Sequence, residues 1–264
     1  MEQAIIQKSL EIFEPLLKKV GAELRQKFLN NDFQVSEKAK QELVTTADKL
    51  SENYILTAIK ENFPDHHILS EESGELENDS QSPYLWVVDP VDGTTNFVYR
   101  NPFFAISISL FYEKEVILGL IYNPILEEMY IAKKGGGAWC NGQALRVSDE
   151  QYLENFKMTY CYGAGKKSRM DALKLHCYFK EHGDIRQLGS SALELALLAR
   201  GVTDVFMVPG ALRWDVGAGV LLVREAGGKV IDFHGEDWHY DSADMLAGNG
   251  KSEQKVLPII QKLL

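Results

Sequence analysis

Apolar positions recur at helical spacing from the start of the chain. Ile5, Ile6, Leu10, Phe13, Leu16, Leu17, Val20, Leu24 and Phe28 fall on one stripe, which predicts an amphipathic helix over residues 2–29. Pro15 removes a backbone donor inside that stripe, so a kink or break is expected near Glu14. After a loop at Asn30, Asn31 and Asp32, residues 38–43 extend toward a second helix that begins at Thr46 or Ala47 and ends at about Asn62. Residues 66–70 read as a short strand entering an acidic segment. Residues 84–88 form an unbroken apolar run, predicted as a buried strand that closes on Asp89 and is stopped by Pro90.

The period then changes to alternation, with strands predicted at 104–111, 116–122 and 128–132 and a hairpin turn at Asn141-Gly142. This block is expected to be an antiparallel sheet. From Phe156 onward strands (158–160, 185–188, 204–208, 229–232, 245–247) alternate with helices (168–180, 190–200, 216–226 and from about Ser252), the order of an α/β half. Residues 161–167 are the expected soft loop. Lys166, Lys167 and Arg169 beside it read as a solvated face. The predicted organisation is a single domain over 1–264, with an antiparallel half of about 1–150 and a mixed-sheet half of about 151–264.

Composition changes this picture little. With 264 residues, 45% of them hydrophobic, there is material for one large core. Glu2, Lys8, Glu11 and Glu14 interrupt the first apolar stripe, and no run reaches membrane-spanning length, so a cytoplasmic chain with no membrane partner is expected. A net charge of −10 offers no field for nucleic acid, and an anionic ligand would need metal ions bound first. Cys140, Cys161 and Cys177 are odd in number and widely spaced, which reads as free thiols rather than a disulfide or zinc framework.

The chemistry concentrates in Asp89-Pro90-Val91-Asp92-Gly93-Thr94-Thr95-Asn96-Phe97. Two carboxylates at a strand end suit a hard cation such as Mg²⁺. A helix start capped by Thr94 or Thr95 would offer N–H groups to phosphate oxygens. The plain alternative is a surface turn. Asp48, in the first turn of a predicted helix, reads by itself as a dipole-stabilising acid; Asp215, which opens another, reads equally as that or as a functional acid. His66 and His67 are adjacent in a strand, point to opposite faces and make a poor chelating pair.

That motif resembles the signature of the inositol monophosphatase family of Mg²⁺-dependent, lithium-sensitive phosphatases. Trp214-Asp215-Val216-Gly217-Ala218-Gly219, running on to Glu225-Ala226-Gly227-Gly228, resembles the family's second signature. The resemblance spans nearly the whole chain. It implies an α/β (α+β) layered sandwich of the inositol monophosphatase/fructose-1,6-bisphosphatase-like αβαβα kind, and a homodimer. It also implies metal ligation by Glu71, Asp89, the Val91 carbonyl, Asp92 and Asp215, holding about two or three Mg²⁺ ions. Glu72 would be a supporting acid, and Asp48 with Thr94 would activate the attacking water. Gly93, Thr94, Thr95, Ser191 and Asp92 would contact phosphate or substrate. Ser70 stands where the family shows a Gly, and Val208 stands where inositol-preferring relatives carry a Glu that contacts ring hydroxyls.

The implied activity is inositol-1-phosphatase-like hydrolysis of a small phosphorylated metabolite. The alternatives are a family phosphatase for fructose-1,6-bisphosphate, histidinol phosphate, a 3′-phosphoadenosine nucleotide or NADP, and a non-catalytic metal-binding or interaction scaffold.

Overall fold

The N-terminal stripe folds as one helix, Glu2–Asn30, which runs through Pro15 without breaking. Its buried face packs with a second helix, Thr46–Asn62, on one side of an eight-stranded sheet. The computed structural model describes residues 2–39, 42–76 and 80–264. Between the two helices, Val35–Ala39 and Glu42–Thr45 pair as an antiparallel hairpin, where the sequence suggested only extended chain; the centre of that stretch lies outside the described residues.

Across the large sheet the strands lie in the order Gln143–Ala144, Gly137–Cys140, Glu128–Lys133, Glu115–Asn123, Ala105–Tyr112, Tyr84–Asp92, His67–Ser70 and Gly74–Leu76. Asn141 and Gly142 form the two-residue turn of the first hairpin, both with positive φ (47° and 79°). Neighbouring strands are antiparallel with one exception, which corrects the expected wholly antiparallel half: His67–Ser70 runs parallel to Tyr84–Asp92. Parallel strands finish at the same edge of a sheet. Ser70 therefore lies beside Val88, and the Glu71 N–H donates to the Val88 carbonyl at 3.0 Å. An antiparallel pairing would have carried Glu71 to the far end of the strand from Asp89.

On the other face lie the helices Ser191–Ala199 and Arg213–Glu225, and they in turn cover a five-stranded mixed sheet. That sheet has the order Asp184–Arg186, Lys157–Tyr160, Val205–Pro209, Asp244–Gly248, Lys229–Ile231. Lys166–His182 and Ser252–Leu263 close its outer face. Three apolar cores separate the five layers. One, around Phe13, Trp86 and Ile106, lies under the first two helices, and one, around Leu195, Phe206 and Leu222, fills the middle. The third, around Phe156, Phe179 and Leu246, lies under the outer pair. The layering is αβαβα. Among the described residues no helix is long and apolar enough to cross a membrane.

Candidate functional site

Asp89 and Asp92 are three positions apart, so in a regular strand their side chains would leave opposite faces. The strand does not stop at Pro90 as expected but continues to Asp92, with a bulge. Asp89 pairs with Ser107 and Asp92 with Ala105, three residues on one strand against two on the other. The extra residue turns both carboxylates to one side. Pro90 fits here because a bulge position needs no ladder donor, while the Asp89 carboxylate takes the Val91 N–H at 3.0 Å. One oxygen each from Asp89, Asp92 and Asp215 then lie within 4.8 Å of one another, Asp215 arriving from the first turn of Arg213–Glu225.

Both strand acids are buried. Burial, then the charges of Glu71, Asp92 and Asp215, pushes the Asp89 carboxyl well above the usual carboxylate range. Burial raises Asp92 to about 7, against the lowering effect of its hydrogen bonds. Neither has a Lys or Arg ion partner among the described residues. Two buried carboxylates with no Lys or Arg ion partner among the described residues, beside a third from Asp215, are the donor set of a hard divalent cation, so the residues present fit the metal that the resemblance implies.

Asp48 sits in a capping box. Its Oδ2 accepts from the Thr45 N–H (2.9 Å) and the Thr45 hydroxyl (2.5 Å), and its Oδ1 lies 2.9 Å from the Thr94 hydroxyl. Burial raises its pKa, opposed by the bonds from Thr45 and Thr94. The sequence offers Thr94 or Thr95 as the cap of the short helix Thr94–Val98. The residue that caps it is Gly93, at φ 92°, without a side-chain bond, so the Thr94 hydroxyl is available to Asp48 and to the Val91 carbonyl (3.0 Å). Thr95 lies one residue further into that helix and lines the cleft, as Gly93 does.

Glu71 lines the cleft; Glu72 does not. The acid that braces this loop is Glu52, whose Oε1 accepts from the Ser70 hydroxyl (2.5 Å) and the Ser73 N–H (3.0 Å). The sequence reading missed it, although its i,i+4 spacing from Asp48 puts the two acids on one helix face. It also explains Ser70 in place of Gly: the hydroxyl is engaged.

The far wall is tied by two further carboxylates. Asp92 accepts from the Ser190 hydroxyl and from the Ala192 N–H at 2.8 Å. Ser191 lines the cleft between them. Glu194, which the sequence reading also passed over, is wholly buried. Its Oε1 takes the Leu188 N–H (3.1 Å), the Gly189 N–H (2.9 Å) and the Cys161 thiol (3.1 Å), while Oε2 has no partner. Burial raises this carboxyl to about 8. A folded-state pKa above the unfolded one gives stability that is lost as pH rises through the folded value. Glu194→Gln should therefore melt close to the parent near pH 4 and increasingly above it as pH rises to about 8; thermal denaturation across that range checks this.

These walls enclose a cleft of about 670 Å³. Val208 is not part of them. It is fully buried in Val205–Pro209 within the middle core. Val208→Glu would bury a carboxylate among apolar side chains, and the expected result is loss of stability rather than gain of a hydroxyl contact. Of the two histidines before the cleft, His66 is buried against Phe63 and Tyr84, accepts from the Trp86 indole at 3.1 Å, and burial lowers it to about 4.

Residues 6–264 match the Inositol monophosphatase family. An inositol-1-monophosphatase of Mesorhizobium japonicum is 37% identical over 237 residues, covering 88% of each chain. A protein of Pasteurella multocida named Nus factor SuhB is 36% identical over 236 residues, covering 89% of this chain and 88% of its own. Among solved structures, the extragenic suppressor protein suhB of Bartonella henselae superposes with a TM-score of 0.90 at 33% identity, over 97% of this chain and all of that one.

Proposed function

This chain belongs to the inositol monophosphatase family, a family of phosphatases, and we propose that it is a Mg²⁺-dependent hydrolase of small phosphomonoesters in which water attacks phosphorus directly. The observation that carries the reading is the convergence of Asp89, Asp92 and Asp215 with the Asp48–Thr94 pair at one cleft. Glu71, Asp89, the Val91 carbonyl, Asp92 and Asp215 would hold about two or three cations. Bound there, Mg²⁺ supplies positive charge that offsets the phosphoryl oxygens and acidifies a water beside it.

The chain's own residues do the rest. Asp48 accepts from the Thr94 hydroxyl, which turns the lone pairs of Thr94 Oγ1 toward the cleft, where they take a proton from the attacking water. Asp48 can receive that proton through Thr94, because burial favours its protonated form. The N–H groups of Gly93, Thr94 and Thr95 belong to a first helical turn that cannot use them, and they meet phosphoryl oxygens. Ser191 and Asp92 face the leaving alcohol.

Phosphate release from inositol-1-phosphate, fructose-1,6-bisphosphate, histidinol phosphate, a 3′-phosphoadenosine nucleotide and NADP, with Mg²⁺ and with or without lithium, tests the reading. Mg²⁺-dependent, lithium-sensitive release is expected. Metal binding with no release from any ester would instead favour the non-catalytic scaffold, a reading that the name Nus factor, given to relatives such as the Pasteurella protein, keeps in view.

Metal and protons compete for the same carboxylates. The gain in Tm on replacing a chelator with Mg²⁺ should therefore grow as pH rises from 5 through about 7, where Asp92 loses its proton. A gain independent of pH would count against these ligands. Homodimerisation belongs to the same proposal, and light scattering decides it.

A further inference from the structure

The cleft wall carries four carboxylates, Glu71, Asp89, Asp92 and Asp215, and among the described residues a single cationic side chain, Arg169. The sequence reading assigned Arg169 to a solvated face with Lys166 and Lys167. The structure separates them. Lys166 and Lys167 are exposed, and Lys167 pairs with Asp171 at 2.7 Å. Arg169 is half-buried in the first turn of Lys166–His182. Its Nε is buried and has no hydrogen-bond partner, and no carboxylate pairs with its guanidinium among the described residues. The Tyr162 ring lies 5.6 Å from the guanidinium carbon.

The support of this wall is not soft. Cys161 N–H donates to Met207 O (3.1 Å) and Gly163 N–H to Pro209 O (2.9 Å), so residues 161–163 continue the pairing of Lys157–Tyr160 with Val205–Pro209. A Cβ on Gly163 would come within 1.6 Å of the Gly210 carbonyl, so only glycine allows the approach. The planar guanidinium matches carboxylate and phosphate oxygens two at a time, and a half-buried one on a cleft wall, paired with no carboxylate among the described residues, is set for a ligand's.

We propose that Arg169 is a specificity-determining residue that binds a second anionic group, phosphate or carboxylate, carried by the leaving alcohol, while the scissile phosphoryl group lies at Asp89, Asp92 and Asp215. The preferred substrates are then small metabolites with two anionic groups rather than esters of neutral polyols. This rests on the phosphatase reading and deepens it.

The test compares kcat/KM of the parent, Arg169→Gln and Arg169→Lys. Fructose-1,6-bisphosphate (second phosphate) and 3-phosphoglycerate (carboxylate) serve as two-anion probes against inositol-1-phosphate. The parent should favour at least one two-anion probe, and which one identifies the anion. Arg169→Gln should cut that preference by roughly 10- to 100-fold, mainly through KM, as loss of a charge-assisted bond implies. Arg169→Lys, which keeps charge but not the fork, should fall between, with the melting temperature of both variants confirming the fold.

A parent preferring inositol-1-phosphate, or equal losses on all three esters in both variants, would overturn the assignment and leave the phosphatase reading standing. Absence of release from every ester in the parent would overturn both.

Discussion

Asp89→Asn should reduce Mg²⁺-dependent phosphate release by about 10³-fold or more, the several kcal/mol that metal stabilisation of a phosphoryl transition state is worth. The fold should survive, because an Asn oxygen still accepts the Val91 N–H that Asp89 takes at 3.0 Å. The stability effect has the opposite sign in the absence of metal. Burial and three neighbouring acids raise the Asp89 pKa, so its charge costs stability as pH rises above the ordinary carboxylate range. In chelator at pH 8 the variant should melt higher than the parent. In Mg²⁺ the order should reverse, since the variant has lost a ligand. Full turnover in Asp89→Asn would remove the metal assignment, and a lower melting temperature in chelator would mean that the carboxylate has a partner other than a cation.

Thr94→Val should cost about 10²- to 10⁴-fold in kcat, the range of general acid–base assistance. Valine keeps the shape of threonine and removes only the hydroxyl that stands 2.9 Å from Asp48. Asp48→Asn should show a comparable loss, because an amide cannot hold the received proton. The pair acts as one relay, so the double variant should be little worse than the poorer single variant. Additive losses would show that the two residues serve separate steps. Asp48→Asn carries a second, structural effect, since Asp48 also closes the capping box with Thr45. Thr94→Val is for that reason the cleaner probe, and steady-state kinetics with a thermal melt on each variant separates the two effects.

Much of this was legible in the sequence because it depends on local order. The helical stripe of residues 2–29, the hairpin at Asn141-Gly142 and the alternation of strands and helices after Phe156 reflect side-chain period and turn chemistry, which act between near neighbours. All three are present in the fold. The two family signatures likewise named Asp89, Asp92, Thr94 and Asp215, and the structure brings these residues to one cleft.

Tertiary structure decided what sequence distance cannot express. Asp89 and Asp92 share a side because a bulge against Ala105–Tyr112 adds a residue to one strand, and pairing register is a property of two strands, not one. Glu71 meets Asp89 because His67–Ser70 pairs parallel to Tyr84–Asp92, and the direction of pairing is a property of two strands together. The bracing roles of Glu52 and Glu194 stayed hidden because an acid on an apolar helix face reveals its partners only when loops from elsewhere fold onto it. Arg169 is the sharpest case. It follows two exposed lysines in sequence, yet the fold, with Gly163 closely packed on Gly210, sets it on the wall of an acidic cleft. The chain thus fixed which groups are available, through residue type and period. Their charges became chemistry only where folding buried them together, since burial and shared proximity, not identity, move a carboxylate's pKa and leave a guanidinium without a partner.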